Sequence, residues 1–289
     1  MFENEAREQY IQALKLGRKT HREDVHKGRY PYLQVLDEIL DMGSIADQTV
    51  LGLIEIPSEM IVGTKTSGRT TAFASNFMPL LPDSSEFGAK WMSLCSAHLS
   101  EEGIREPIRC CEYLGRFYVQ EGNKRVSVLK SYGAPTIPGY VTRFIPRYSN
   151  DPEIKNYYEF LRFYPQTKLY QLRFAQPAGF LKLQAALGYE PDHVWTEDER
   201  RIFVSRFYNF TAAFKKLRGE NLNVSAADAL LVWLRVYPFE DLKFMPQAEI
   251  INSLQTIWPD VRALGQGEPI AVSTEDEQTE AEPGIIGKL

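Results

Sequence analysis

The chain has 289 residues, of which 44% are apolar and 12% aromatic, enough for one large core or two modest ones. Its 33 basic and 38 acidic residues leave a net charge of −5, which excludes a whole-molecule positive field that would gather nucleic acid or anionic lipid. Three cysteines, Cys95, Cys110 and Cys111, form neither an even disulfide framework nor a C-x-x-C pair, so a reducing compartment is expected.

The opening "MFENEAREQY" carries acids where a secretory leader needs positive charge, and no apolar run reaches membrane-spanning length. A soluble, cytoplasmic protein without membrane partners is predicted. From Asn4 to about Asp41, apolar residues recur at helical spacing and are interrupted at Gly28 and Pro31. Two helices joined by a turn are predicted within a first zone, 1–49.

From Val50 the text alternates between strand and helix. "VLGLIEI" reads as a strand ended by Pro57, and "SSEFGAKWMSLCSAHL" as a helix capped by Ser84 or Ser85. "EPIRCCEY" and "RFYVQE" flank Leu114 and Gly115 as a hairpin, in which the adjacent Cys110 and Cys111 point to opposite faces. "GNKRVSVLKSYG" is a short helix closed by Gly133, and "TIPGYVTRFI" a returning strand. An α/β unit over 50–147 is expected.

Helices dominate 148–264. Asp151 followed by Pro152 marks a helix start, Thr196 with Glu199 makes a capping box, and Ser225 with Asp228 resembles another. "KLYQLRF" offers one further strand. The crowded aromatics Tyr157, Tyr158, Phe160, Phe163 and Tyr164 are assigned to core packing rather than base stacking. The last segment, 265–289, is acidic and nearly free of aromatics, and disorder is expected there.

"GIREPIRCCEYLGRFYVQEGNKRVSVLKSYGAPTIPGYV" resembles the ParB/sulfiredoxin-like family. The landmarks are Gly103 with Pro107, Tyr118, Gly122 with Arg125, Gly133, and Ile137 with Pro138, preceded by "GLIEIPSEMIVG" in the place of the family's first strand and turn. The resemblance implies a small mixed-sheet domain over 50–147, and with the helical patterns read on either side of it the expected fold is α+β: that domain with N-terminal helices and a mostly helical C-terminal region. It also implies nucleotide phosphates at the Gly122 turn, CTP or ATP with magnesium. Sulfinic-acid reduction is excluded, because Asn123 stands where sulfiredoxin has its catalytic cysteine.

The chemistry of that turn is independent of the family. A glycine between strand and helix leaves helix-start N–H groups unpaired, and such a start attracts anions. Gly122, Asn123, Lys124 and Arg125 are therefore the first phosphate candidates, with Arg125 as a bidentate fork. "GTKTSGRT", 63–70, misses the phosphate-loop pattern by having Arg69 in place of lysine, and Pro79 and Pro82 leave no room for the long helix a true P-loop needs. By the resemblance, this segment borders the nucleotide, with Lys65, Ser67, Arg69 and Thr70 as a second wall; a solvated Ser/Thr/Gly-rich loop is the alternative.

Glu55, Glu106 and Glu121 are candidate general bases, Glu55 and Glu121 being kept as weak catalytic candidates. The four histidines lie in separate segments without metal-ligand spacing, so no metal site is predicted. A helix-turn-helix at Ser225–Val236 and Pro246–Trp258 is not favoured as a DNA reader, since "PQAEIINSLQTIW" lacks Lys and Arg. The function expected first is nucleotide binding, with slow hydrolysis or regulatory switching left open. Two alternatives stand beside it: a phosphotransferase of the same superfamily, and a scaffold or nucleic-acid-binding protein without nucleotide chemistry. A protein partner for the helical region also stays open.

Overall fold

The computed structural model describes residues 2–68 and 70–266. Arg69 and most of the acidic tail, from 267 on, lie outside the described residues. The chain falls into two compact units, one through Leu172 and one from Arg173.

The first unit is built on a mixed six-stranded sheet. In chain order come helix α1 (Glu3–His26), strand β1 (Gln34–Val35), the single turn α2 (Leu36–Ile39), β2 (Ile45–Pro57), β3 (Ile61–Thr64), α3 (Glu86–Leu99), β4 (Ile108–Tyr113), β5 (Arg116–Glu121), α4 (Asn123–Ser131), β6 (Thr136–Pro146) and α5 (Pro152–Thr167). The strand order is β1-β3-β5-β4-β6-β2. β1, β3 and β5 run parallel, as do β4 and β6, while the β4/β5 hairpin and the β2/β6 pair are antiparallel. The fold is thus α+β with a mixed sheet, as expected.

Local signals account for most of these elements. Ser85 caps α3 by accepting from the Gly88 amide at 3.0 Å, and Asp151 caps α5. Leu114 and Gly115 both take positive φ, 50° and 72°, as a two-residue hairpin turn requires. Cys110 and Cys111 are both buried, because this central strand is covered on each face.

Two expectations are corrected. The second N-terminal helix does not form: Gln34 and Val35 pair in parallel with Gly63 and Thr64, and only one helical turn follows. Here a sheet edge outcompetes helical spacing. The pairing needs glycine at 63, where a Cβ would sit 2.2 Å from the Gln34 carbonyl oxygen. The segment "KLYQLRF" makes no strand either. Lys168 turns the chain at φ 55°, and Leu169, Tyr170 and Leu172 are buried without a ladder partner in the sheet.

The unit boundary lies beyond the expected division at 147 because α5 is tied to the sheet. Tyr157 of α5 donates to both carboxylate oxygens of Glu112 on β4 at 3.0 Å, and Arg143 of β6 donates through Nε to the same carboxylate. Of the predicted aromatic core, Tyr157, Phe160 and Phe163 are buried, and Tyr158 and Tyr164 are half-buried.

On the other side, α1 packs on α3, with the Tyr10 and Trp91 rings edge to face at 5.2 Å. The Trp91 indole donates to Ser127 Oγ of α4 at 2.8 Å, which gives that hydroxyl a structural task. Lys130, in the last turn of α4, is half-buried; its ammonium donates to the Ile61 carbonyl at 2.9 Å and lies over the Phe77 ring. Burial pushes its pKa down to about 8, against a weaker upward pull from Glu59.

The sign of the resulting pH effect follows from proton counting. Between about pH 8 and the ordinary lysine value near 10.4, the unfolded chain holds more proton than the folded one, so stability rises with pH across that window. Below it both states are charged, and the folded state carries the cost of a buried ammonium. Urea unfolding at pH 7.5 and 9.5 is expected to show a rise on the order of 1–2 kcal/mol in the parent relative to Lys130→Met. Equal pH dependence in the two proteins would contradict this assignment.

The second unit is helical: α6 (Gly179–Ala186), α7 (Glu197–Lys216), α8 (Ala226–Trp233), α9 (Gln247–Thr256) and α10 (Trp258–Gly265). Phe203, Phe207, Phe210 and Phe214 line one face of α7 at helical spacing and are buried. Thr196 with Glu199 and Ser225 with Asp228 form the two expected capping boxes. Among the described residues, no helix is long and apolar enough to cross a membrane.

Candidate functional site

β5 ends at Glu121, and Gly122 carries the chain into α4 with φ 108° and ψ 19°, a left-handed conformation that disfavours a side chain. A Cβ there would also meet Ile108 Cγ2 at 2.8 Å. The helix closes its first turn with the Val126 amide donating to the Gly122 carbonyl at 3.0 Å, and among the described residues no side chain caps it. The N–H groups ahead of that bond have no partner within the helix, the arrangement that favours anions.

A cleft of about 480 Å³ opens at this helix start. Gln120, Glu121 and Gly122 to Arg125 form one side; Phe87, Lys90, Ser93 and Leu94 of α3, with Phe73, form the other. A second cleft of about 360 Å³ shares Phe87 and Lys90 and is bordered by Gly68, Thr71, Ala72 and Ser85. The Lys124 ammonium lies 5.2 Å from the Phe87 ring centroid, and Lys90 pairs with Glu86. Two ammonium groups thus lie at the cleft, that of Lys124 over the buried Phe87 ring and that of Lys90 paired with Glu86.

The predicted residues take up different tasks. Asn123 anchors the turn: its Nδ2 donates to Thr64 Oγ1 at 3.1 Å, and that hydroxyl donates to the Val119 carbonyl at 3.0 Å. Its Oδ1 is buried without a hydrogen-bond partner among the described residues. Arg125 does not present a free fork. Nη1 donates to the carbonyls of Glu106 and Pro107 at 3.1 and 2.7 Å, and Nη2 reaches the carboxylates of Glu121 and Glu106 at 3.2 and 3.3 Å. The guanidinium instead pins the segment before β4 against the helix start.

The second wall is only partly assembled. Lys65 prolongs the edge of β3: its amide donates to the Val119 carbonyl, and its ammonium pairs with Asp37 at 3.1 Å. Thr70 is buried, with its hydroxyl donating to the Ser67 carbonyl at 3.3 Å. Neither lines either cleft; their neighbours Gly68 and Thr71 do. Arg69 lies outside the described residues. Glu121 stands at the rim, paired with Arg125 and with Arg109 at 3.7 Å. Glu55 is exposed on β2, opposite Pro138, and lines neither cleft.

Sequence reasoning missed the α3 side. Phe87, Lys90 and Leu94 follow one another at helical spacing, which marks a shared face but not what it faces. The buried polar cluster on the sheet was missed as well. Glu112 accepts from Arg143, Tyr157 and the Gly115 amide, while Arg143 also donates to Tyr170 Oη at 2.5 Å. Burial pushes the Glu112 carboxyl up, and Arg143 pulls it back. With every partner internal, the cluster is a structural tie.

Burial raises Cys95, Cys110 and Cys111, the last to about 11, and all three are free. Among the described residues, no group of three or more His, Cys, Asp or Glu is placed to hold a metal ion.

No protein-family model matches the chain, and no curated protein matches it.

Proposed function

We propose that the chain binds a nucleoside triphosphate, CTP or ATP with magnesium, through phosphate groups at the Gly122–Lys124 helix start of a ParB/sulfiredoxin-like domain. The observation that carries this reading is the cleft of about 480 Å³ opening on a helix start that no side chain caps among the described residues. Its size falls within the range of small-molecule sites, about 300–1,000 Å³. The helix start and Lys124 supply the phosphate end, and the half-buried Leu94, beside the mostly covered Phe87, supplies apolar surface for the rest of the ligand. Arg125 holds the turn in shape rather than gripping phosphate. A cytoplasmic setting accords with three free, buried cysteines.

Equilibrium titration with CTP, ATP, GTP and UTP in the presence of magnesium tests the proposal. One nucleotide is expected to bind, and Lys124→Gln to weaken it roughly 10- to 100-fold through loss of a charge-assisted contact of about 1.5–3 kcal/mol. If none of the four binds to folded protein, nucleotide recognition is wrong and the scaffold reading takes its place.

A further inference from the structure

α1 carries a second charged feature, unrelated to the cleft. Between Lys15 and Arg29 the chain has six Lys and Arg residues against two acids, although the whole molecule is acidic. One of those acids, Asp24, is buried and bonded to Arg29 and Ser75. Glu23 alone offsets the exposed cations locally, through an ion pair with Lys19 at 3.8 Å. Among the described residues, no ion pair engages Lys15, Arg18 or Arg22.

The helix turns this composition into a ridge. Ala6, Tyr10, Ala13, Gly17 and Asp24 form the buried stripe. At about 100° per residue, Lys15, Arg18, Lys19 and Arg22 centre about 180° from it, on the outermost line of the helix. From Lys15 to Arg22 the ridge extends about 10 Å, at about 1.5 Å per residue. A nucleic-acid duplex carries one phosphate charge per about 1.7 Å of its axis, so four cations over that length meet a matching density of negative charge.

We infer that the ridge Lys15, Arg18, Lys19 and Arg22 on α1 is a docking surface for the phosphodiester backbone of duplex nucleic acid, without sequence preference. The ridge is a row of cations along one helix line, suited to successive phosphates, whose contacts carry no sequence information, and it has no aromatic among these four to stack unpaired bases. A membrane surface fits it less well, because the apolar stripe that would enter lipid is already buried against protein. Since the rest of the chain is net acidic, the contact is local and strongly salt-dependent.

Fluorescence anisotropy of the full chain with two 20-base-pair duplexes of unrelated sequence, titrated at 50 to 200 mM KCl, tests this. With four contacts, the slope of log K against log salt is expected near −3.6, which weakens binding about 100-fold over that range. The K15Q/R18Q/R22Q variant is expected to retain a slope near −0.9, while K15R/R18K/R22K and the distant K215Q/K216Q keep the parent slope. These sites are exposed, and circular dichroism with thermal melting checks that each variant folds. No binding at 50 mM, an unchanged slope in the triple-glutamine variant, or a tenfold preference between the duplexes would each overturn the inference. So would binding to phosphatidylserine-containing vesicles but to neither duplex.

Discussion

Replacing Glu112 by Gln is expected to cost the first unit about 3–5 kcal/mol of stability, read as a fall in the urea unfolding free energy at pH 7. The carboxylate is fully buried and accepts from Arg143, Tyr157 and the Gly115 amide. An amide in its place has one acceptor oxygen, and its NH2 faces a donor. Arg143 would then keep a buried positive charge without its counter-charge, although it still lies over the rings of Phe160, Tyr164 and Tyr170. The double change Glu112→Leu with Arg143→Met is expected to cost less than the sum of the two single changes, because no charge is left alone. A single-variant loss under 1 kcal/mol would show that the cluster does not tie α5 to the sheet.

Gly122→Ala is expected to act on both stability and ligand. The residue occupies φ 108°, and an added Cβ lies 2.8 Å from Ile108 Cγ2. Left-handed strain costs about 1–2 kcal/mol, and relieving the contact shifts either Ile108 or the start of α4. Nucleotide affinity is expected to fall more than tenfold, since the displaced groups are the amides proposed to meet phosphate. A variant that is less stable yet binds with parent affinity would separate the fold requirement from the site.

These effects differ in how far the sequence announces them. Elements whose cause is local were legible: the Ser85 cap, the Leu114–Gly115 turn, the two capping boxes and the Gly122 entry to α4 each depend on residues within a few positions. Where a distant partner decides, the text misleads. Gln34 and Val35 read as helix, and their pairing with Gly63 and Thr64 spans about 30 positions. Glu112 sits in a strand whose alternation is masked because residues on both faces are buried.

The same division runs through the site. The helix start was visible from Gly122 and the basic residues after it. That α3 would supply the facing wall was not, because nothing in "EFGAKWMSL" states what Phe87 and Lys90 oppose. Arg125 shows the limit most clearly: its charge was read correctly, but its partners are the carbonyls of Glu106 and Pro107, fixed only once β4 lies beside the turn.

The proposed site holds phosphate at the Gly122–Lys124 turn. Amide shifts of the 15N-labelled chain, followed through a titration with the tightest-binding nucleoside triphosphate, address it directly. The largest saturable changes are expected at the amides of Asn123, Lys124 and Arg125, with smaller ones at Phe87 and Lys90. Saturable binding that leaves those amides unmoved and shifts another region would contradict it.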